Sequence, residues 1–309
     1  MLSKFYFAFI CFGILIFKAI GQPAYPLVPK DASIVSSDIV NFIAAYKLLN
    51  PESDSLTILR ENYFDKGSPG LKEYCNRHGL TPENLSAAIK SDPEAYGEIS
   101  NFFDALPEFK EQVLEEFEKF GEIIPDAMYP PTYLLIGANR GIGQASPEGQ
   151  LITIVKGLKK PDKLINVIVH ELAHFQQARS LGFQAYIGTY SKPDNMLDLV
   201  LREGGAQFIN YYLVRENVED YGQLKYVEDN EKELRDRFEQ DLSKQDSNYW
   251  LWESLDKDDH PILLGYAVGY KIIKAYYDNA ENKADAIKDI LAITDAKEFL
   301  ARSGYPIKY

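Results

Sequence analysis

The sequence predicts an α+β chain that is mainly α, and three observations carry that expectation. Apolar residues recur at helical spacing over two long stretches, and only two short runs are β-rich. The hydrophobic share of 46% with an ordinary charged share of 26% describes a folded globule rather than a disordered chain.

The N-terminus reads as a removable segment. Residues 1–21 carry one early lysine, Lys4, then a nearly unbroken apolar run from Phe5 to Phe17, and end in Ala19-Ile20-Gly21. That is a secretory signal peptide rather than a membrane span, because the run is too short to cross a bilayer and the small-x-small ending suits cleavage. Cys11 lies inside the run, behind Phe9 and Ile10, so no lipid-attachment pattern is present. Removal of residues 1–21 leaves 288 of the 309 residues, enough to bury a core without disulfides, and Cys75 as the sole cysteine. The expected location is therefore outside the cytoplasm, periplasmic or extracellular. Loss of Lys4 and Lys18 takes the formal charge from −13 to −15. Such a chain repels phosphate backbones and is not expected to bind nucleic acid.

Residues 22–30, with three prolines, read as an extended lead-in. From Ser37 to Phe120 the pattern is helical: Ile39, Phe42, Ile43, Tyr46 and Leu49 share a face, and Leu106 to Phe120 keeps the rhythm. Thr81-Pro82 and Asp92-Pro93 are capped helix starts with proline in the first turn. The rhythm breaks at Pro130-Pro131. Tyr133–Ile136 and Leu151–Val155 follow as β-rich runs joined by a loop with Gly, Asn and Pro, read as a hairpin. Pro161 opens a strongly apolar helix to about Ser180, closed by Gly182. A second helix runs from near Met196 to about Glu216, and the charged stretch from Glu219 to Asp259 is partly helical. Leu263–Tyr277 is amphipathic, with short helices near Ala280–Ile293 and Ala296–Arg302. We expect one domain over residues 22–309, with a helical lobe at about 31–125 and a core at about 126–309.

The stretch that carries chemistry is Val167-Ile168-Val169-His170-Glu171-Leu172-Ala173-His174-Phe175. Histidines at i and i+4 lie one turn apart on one helical face, so both imidazoles can grip one metal ion. Glu171, beside the first, can hold a water rather than the metal. Zinc lowers the pKa of such a water to about 7, and a carboxylate can then take its proton. A third ligand must come from another element, and Glu203, in Glu203-Gly204-Gly205-Ala206 on the next helix, offers it. The small neighbours suit a close approach to the first helix. The set His170, His174 and Glu203 fits one zinc ion per chain with an open position. A chance match on a solvated helix is the plain alternative. The flanks are apolar, however, and buried polar groups without partners cost several kcal/mol.

HELAH followed some thirty residues later by EGGA resembles the gluzincin metallopeptidases. More narrowly, the chain is similar to a family of predicted exported bacterial zinc-dependent proteases akin to gliding-motility lipoprotein B-like proteins. Ser37-Asp38-Ile39-Val40-Asn41-Phe42, the loop Tyr133–Gly143 and Leu264-Gly265-Tyr266-Ala267-Val268-Gly269-Tyr270-Lys271 share in that resemblance. It departs at Asn139-Arg140-Gly141, where a more Gly-rich turn is expected, and in lacking a lipobox. The resemblance implies a zincin-like metallopeptidase domain, its small sheet or hairpin packed on the HExxH helix, acting on a peptide or protein substrate. It also implies a downstream Tyr or His that steadies the oxyanion: Tyr266 first, then Tyr270 one turn on, then His260. The strand Leu151–Val155 would pair with the substrate backbone, or else be sheet core. His78 reads as a surface turn residue.

Two rival readings exist. Gly137-Ala138-Asn139-Arg140-Gly141-Ile142-Gly143 with Tyr221 and Lys225 imitates a dinucleotide-binding dehydrogenase, but such a loop must open a helix, and here a β-run follows. The other is a non-catalytic, zinc-holding, peptidase-like binding protein. The presence of ligands and base together argues against it.

Overall fold

The computed structural model describes residues 25–138, 143–158, 160–192, 196–242, 248–252 and 261–307; residues 1–21, read as a signal peptide, and His260 lie outside these. The described part is mostly helical with one small four-stranded sheet, as the pattern predicts. None of its helices is long and apolar enough to cross a membrane.

Strand β1 (Ile34–Val35) precedes α1 (Ser37–Tyr46), α2 (Ser55–Leu59), α3 (Pro69–His78), α4 (Pro82–Ser91), α5 (Pro93–Gly97) and the long α6 (Ile99–Ile123). Local chemistry sets most of these starts. Thr81 and Asn84 form a reciprocal capping box at α4, Asp92 caps α5 and Ser68 caps α3, each with proline in the first turn. Helix α6 starts earlier than its apolar rhythm indicates and runs through Pro107. The buried stripe of Phe102, Leu106, Phe109, Val113, Phe117 and Phe120 outweighs the hydrogen bond that proline removes.

The sheet is β2 (Thr132–Leu135), β3 (Gly143–Ser146) and β4 (Gly149–Thr153) together with β1, in the order β1-β2-β4-β3. Here the fold corrects the sequence reading. The two β-rich runs do not form a hairpin; β2 and β4 lie side by side and parallel. The hairpin is β3–β4, antiparallel and turning at Pro147-Glu148. Gly-Gln-Ala-Ser has too little β propensity to announce β3, whose pairing is imposed by the turn and by β4. Gly149, at φ 137, closes that turn where any Cβ would strike the Pro131 carbonyl. Strand β4 is buried in the middle of the sheet, so it is sheet core, and among the described residues β3 is the edge on its side, with β1 the other.

Helix α7 (Pro161–Leu181) lies against the sheet and is followed by α8 (Phe183–Thr189). Helix α9 (Met196–Gln207) continues as a π-helical segment to Val214. Then come α10 (Gly222–Asp229), α11 (Glu231–Asp241), α12 (Leu264–Asn279), α13 (Lys283–Leu291) and α14 (Ala296–Ser303). One continuous apolar cluster reaches from Ile39 in α1 to Ile307 beyond α14. Glycines let α9 and α12 touch backbone to backbone. A Cβ on Gly269 would lie 1.9 Å from the Val200 carbonyl oxygen, and one on Gly204 would lie 2.2 Å from the Gly269 backbone. Gly204 therefore faces α12, not α7 as its sequence neighbourhood invites; Gly205 faces α7, at Gln177.

Candidate metal centre

Helix α7 is buried on nearly every side, with Ile168, Val169, Leu172, Ala173 and Phe175 in the core. It therefore carries His170 and His174 into the interior as rigid neighbours. Helix α9 brings Glu203 to them from the side held by α12. The three side chains converge: His174 Nε2 lies 2.9 Å from His170 Nε2 and 3.0 Å from Glu203 Oε2, and His170 Nε2 lies 3.3 Å from Glu203 Oε2. Ligands of a tetrahedral zinc at ~2.0–2.1 Å stand ~3.3 Å apart, so this triangle needs little change to seat the ion. The donor set, two imidazoles and a carboxylate with a fourth position open, is also the one catalytic zinc takes. The residues present fit the metal.

The ring of His174 is held in place by groups that sequence reasoning missed. Its Nδ1 lies 2.9 Å from Gln177 Oε1 and 3.0 Å from the Tyr186 hydroxyl. Gln177 Nε2 donates to the Arg202 carbonyl at 2.9 Å, which turns its oxygen toward the histidine. In the neutral ring the hydrogen of His174 therefore belongs on Nδ1, which leaves Nε2 as the atom that gives up its proton and faces the cluster. Gln177 is one turn beyond His174 on the same face, the only hint the sequence offers. Tyr186 comes from α8, a helix with no clear pattern, and its hydroxyl meets that of Tyr190 at 3.3 Å.

Electrostatics follow from the crowding. Burial works against charge on His174, but the Glu203 carboxylate beside it prevails and holds the imidazole up to about 9. Burial likewise opposes ionisation of Glu203, yet the two histidines hold it well below the usual carboxylate range. Glu171 behaves differently. Burial raises its carboxyl above the ordinary range despite both histidines, and the Ala145 backbone amide bonds to it. That amide belongs to β3, so the sheet edge grips Glu171 directly. Gly143 on the same strand permits this, since a Cβ there would lie 2.8 Å from Glu171 Oε1.

Of the tyrosines expected near the site, Tyr266 is at it. Its ring lies nearly parallel to that of His170, centroids 6.2 Å apart, and its hydroxyl bonds to Glu203. Burial, with the Glu203 and Glu171 carboxylates, raises that hydroxyl well above the usual phenol range, so it keeps its proton. Leu263, in the left-handed region at φ 60, hands the chain into α12 and sets Tyr266 in the first turn. Tyr270 is instead buried between Phe208 and Tyr221, at ring separations of 5.7 and 5.9 Å. His78 is not a free turn residue either: it ends α3 half-buried, with Nε2 2.7 Å from Gln144 Oε1. After the glycine loop comes β3 rather than a helix, which removes the dinucleotide reading.

Residues 134–301 match the family model described as Predicted Zn-dependent protease (DUF2268), just over half of the chain. The chain belongs to this family. Its matched span starts within β2 and holds β3, β4, the three side chains of the candidate metal site, Glu171 and Tyr266, and leaves the helices from α1 to α6 outside. No curated protein and no solved structure matches the chain. Family membership agrees with the His170, His174 and Glu203 cluster in pointing to zinc.

Proposed function

We propose that the chain hydrolyses peptide bonds at one zinc ion per chain held by His170, His174 and Glu203, with Glu171 as general base. The observation that carries this reading is the convergence of the three ligand atoms beside a buried carboxyl group whose pKa is raised. When bound, zinc supplies Lewis acidity, polarising a carbonyl and bringing the pKa of a water to about 7.

The protein's own groups do the rest. Burial raises the Glu171 carboxyl above the ordinary carboxylate range, which makes it a stronger base to accept a proton and give it back to the leaving amine. Tyr266, kept protonated, donates toward the carbonyl oxygen as negative charge gathers there, worth a few kcal/mol in comparable sites. The outer edge of β3, which no strand among the described residues covers, aligns the peptide by strand addition, with Gly143 and Ala145 beside Glu171. A gluzincin-type chain of this kind acts on peptide or protein substrates outside the cytoplasm once its signal peptide is removed.

The deciding experiment is Glu171→Gln in the zinc-loaded protein. It should retain about one zinc per chain and lose peptide cleavage by 10²–10⁴-fold, the usual weight of a general base. Unchanged cleavage removes Glu171 from the mechanism. Wild-type protein that holds zinc but cleaves nothing in a mixed peptide library supports the binding-protein reading instead.

A further inference from the structure

A peptide lying along β3 presents its side chains alternately to the two faces of the sheet. One face is the metal side, where Gly143 meets Val167 and Glu171 of α7. Gln144, next along the strand, turns to the other face, where its Oε1 accepts from His78 Nε2 at the end of α3. Beyond it opens a cavity of about 220 Å³ lined by Tyr74, His78, Leu80, Asn84 and Ala138. This is several times the ~30 Å³ share of one water, so there is room for a medium or large side chain.

The lining decides the chemistry of the occupant. Tyr74 and Leu80 are buried and form the apolar floor, and among the described residues no acidic, lysine or arginine side chain lines the space. The Asn84 amide and the His78 imidazole on the wall are already engaged. Asn84 Oδ1 accepts from the Thr81 amide at 3.0 Å and its Nδ2 donates to the Gly79 carbonyl at 2.7 Å, while His78 Nε2 pairs with Gln144. A charged side chain placed here would leave water for a lining that offers it no carboxylate, lysine or arginine among the described residues. The His78 ring packs on Tyr74 at 4.5 Å, which braces the wall nearest β3.

We propose that this cavity is a specificity pocket that takes one uncharged, apolar side chain of the bound peptide, at a position alternate to those over α7. The inference rests on the peptidase reading for its substrate, and on β3 as the edge that aligns it. Pocket discrimination of this kind is worth roughly 10–200-fold per missing apolar group.

The test uses octapeptides randomised at one position at a time, read in two ways. Cleavage is measured with the zinc-loaded wild-type protein, and binding of the same peptides is measured with zinc-loaded Glu171→Gln protein. One position should prefer Leu, Met or Phe over Gly and Asp by tenfold or more. Ala138→Phe, which fills the cavity from its half-exposed wall, should reduce that ratio to less than twofold at that position alone; Ala138→Leu serves if the larger residue prevents folding. An unchanged preference in the filled variant, or a preference for a charged residue, overturns the pocket even if cleavage is found. A position preference in the binding measurement that Ala138→Phe abolishes, in protein that cleaves nothing, upholds the pocket while the peptidase reading falls.

Discussion

His170, His174 and Glu203 within hydrogen-bonding reach of one another, with the Tyr266 hydroxyl bonded to Glu203, make the centre a problem of protons as much as of metal. In the metal-free protein His174 is held up to about 9 from an ordinary 6.5, so its contribution to stability is complete below 6.5 and is lost as the pH rises through about 9. Glu203 is held below its ordinary 4.5, so its contribution is present above that value and is lost on acidification. The metal-free pair is thus most stabilising between 4.5 and 6.5. Zinc needs the Nε2 lone pair and must displace that proton. Apparent zinc affinity should therefore rise roughly tenfold per pH unit from pH 7 toward 9 and flatten above. A chelator competition series across that range measures it, and an affinity independent of pH would refute the ion pair. The groups behind His174 should matter next. Gln177→Leu leaves the Nδ1 hydrogen with Tyr186 alone, and such outer partners are typically worth 10–100-fold in metal affinity. The same competition assay reads the loss, with Tyr186→Phe expected to cost less because the amide remains.

At the scale of elements, the centre depends on α9 reaching α7 while pressed against α12. The contact between α9 and α12 is backbone on backbone at Gly204 and Gly269. Gly269→Ala puts a methyl group against the Val200 carbonyl and has nowhere to relax, so it should destabilise the fold by about 1–3 kcal/mol. Thermal unfolding measures this directly, and a variant as stable as the parent would show that the helices can slide apart. Because Glu203 neighbours Gly204, the same variant should weaken zinc binding as well, linking packing to the site. The elements also show what the pattern could and could not reveal. Helices α7 and α12 were legible because long apolar periodicity, Pro161 and Gly182 all agree. Strand β3 and helix α8 were not, since Gly-Gln-Ala-Ser and seven residues of mixed character owe their form to neighbours far along the chain.

Across the whole molecule, metal and fold should be coupled. The ligands arrive from two helices buried in one continuous core, and an unfolded chain cannot hold them together. Zinc in hundredfold excess over its dissociation constant should stabilise the native state by about 2.7 kcal/mol. Differential scanning calorimetry with and without zinc should show the rise in Tm for the wild-type protein and none for a His170→Ala, His174→Ala double variant. An equal rise in both would place the stabilising ion elsewhere.

The sequence by itself determined the helical character, the HExxH helix, its two histidines with Glu171, and Glu203 as third partner. Each of these depends on local spacing: i and i+4 on one turn, apolar flanks, small residues after the glutamate. Only the tertiary structure decided which of Tyr266 and Tyr270 stands at the candidate metal site, that β3 rather than β4 is an edge strand among the described residues, and that Gln177 and Tyr186 orient His174. It also turned His78 from a surface residue into the wall of a cavity. The reason is physical. A helix fixes the relation of residues three or four apart, but the rotation of α12, the strand order and the approach of α3 are set by packing between segments that share no local rule.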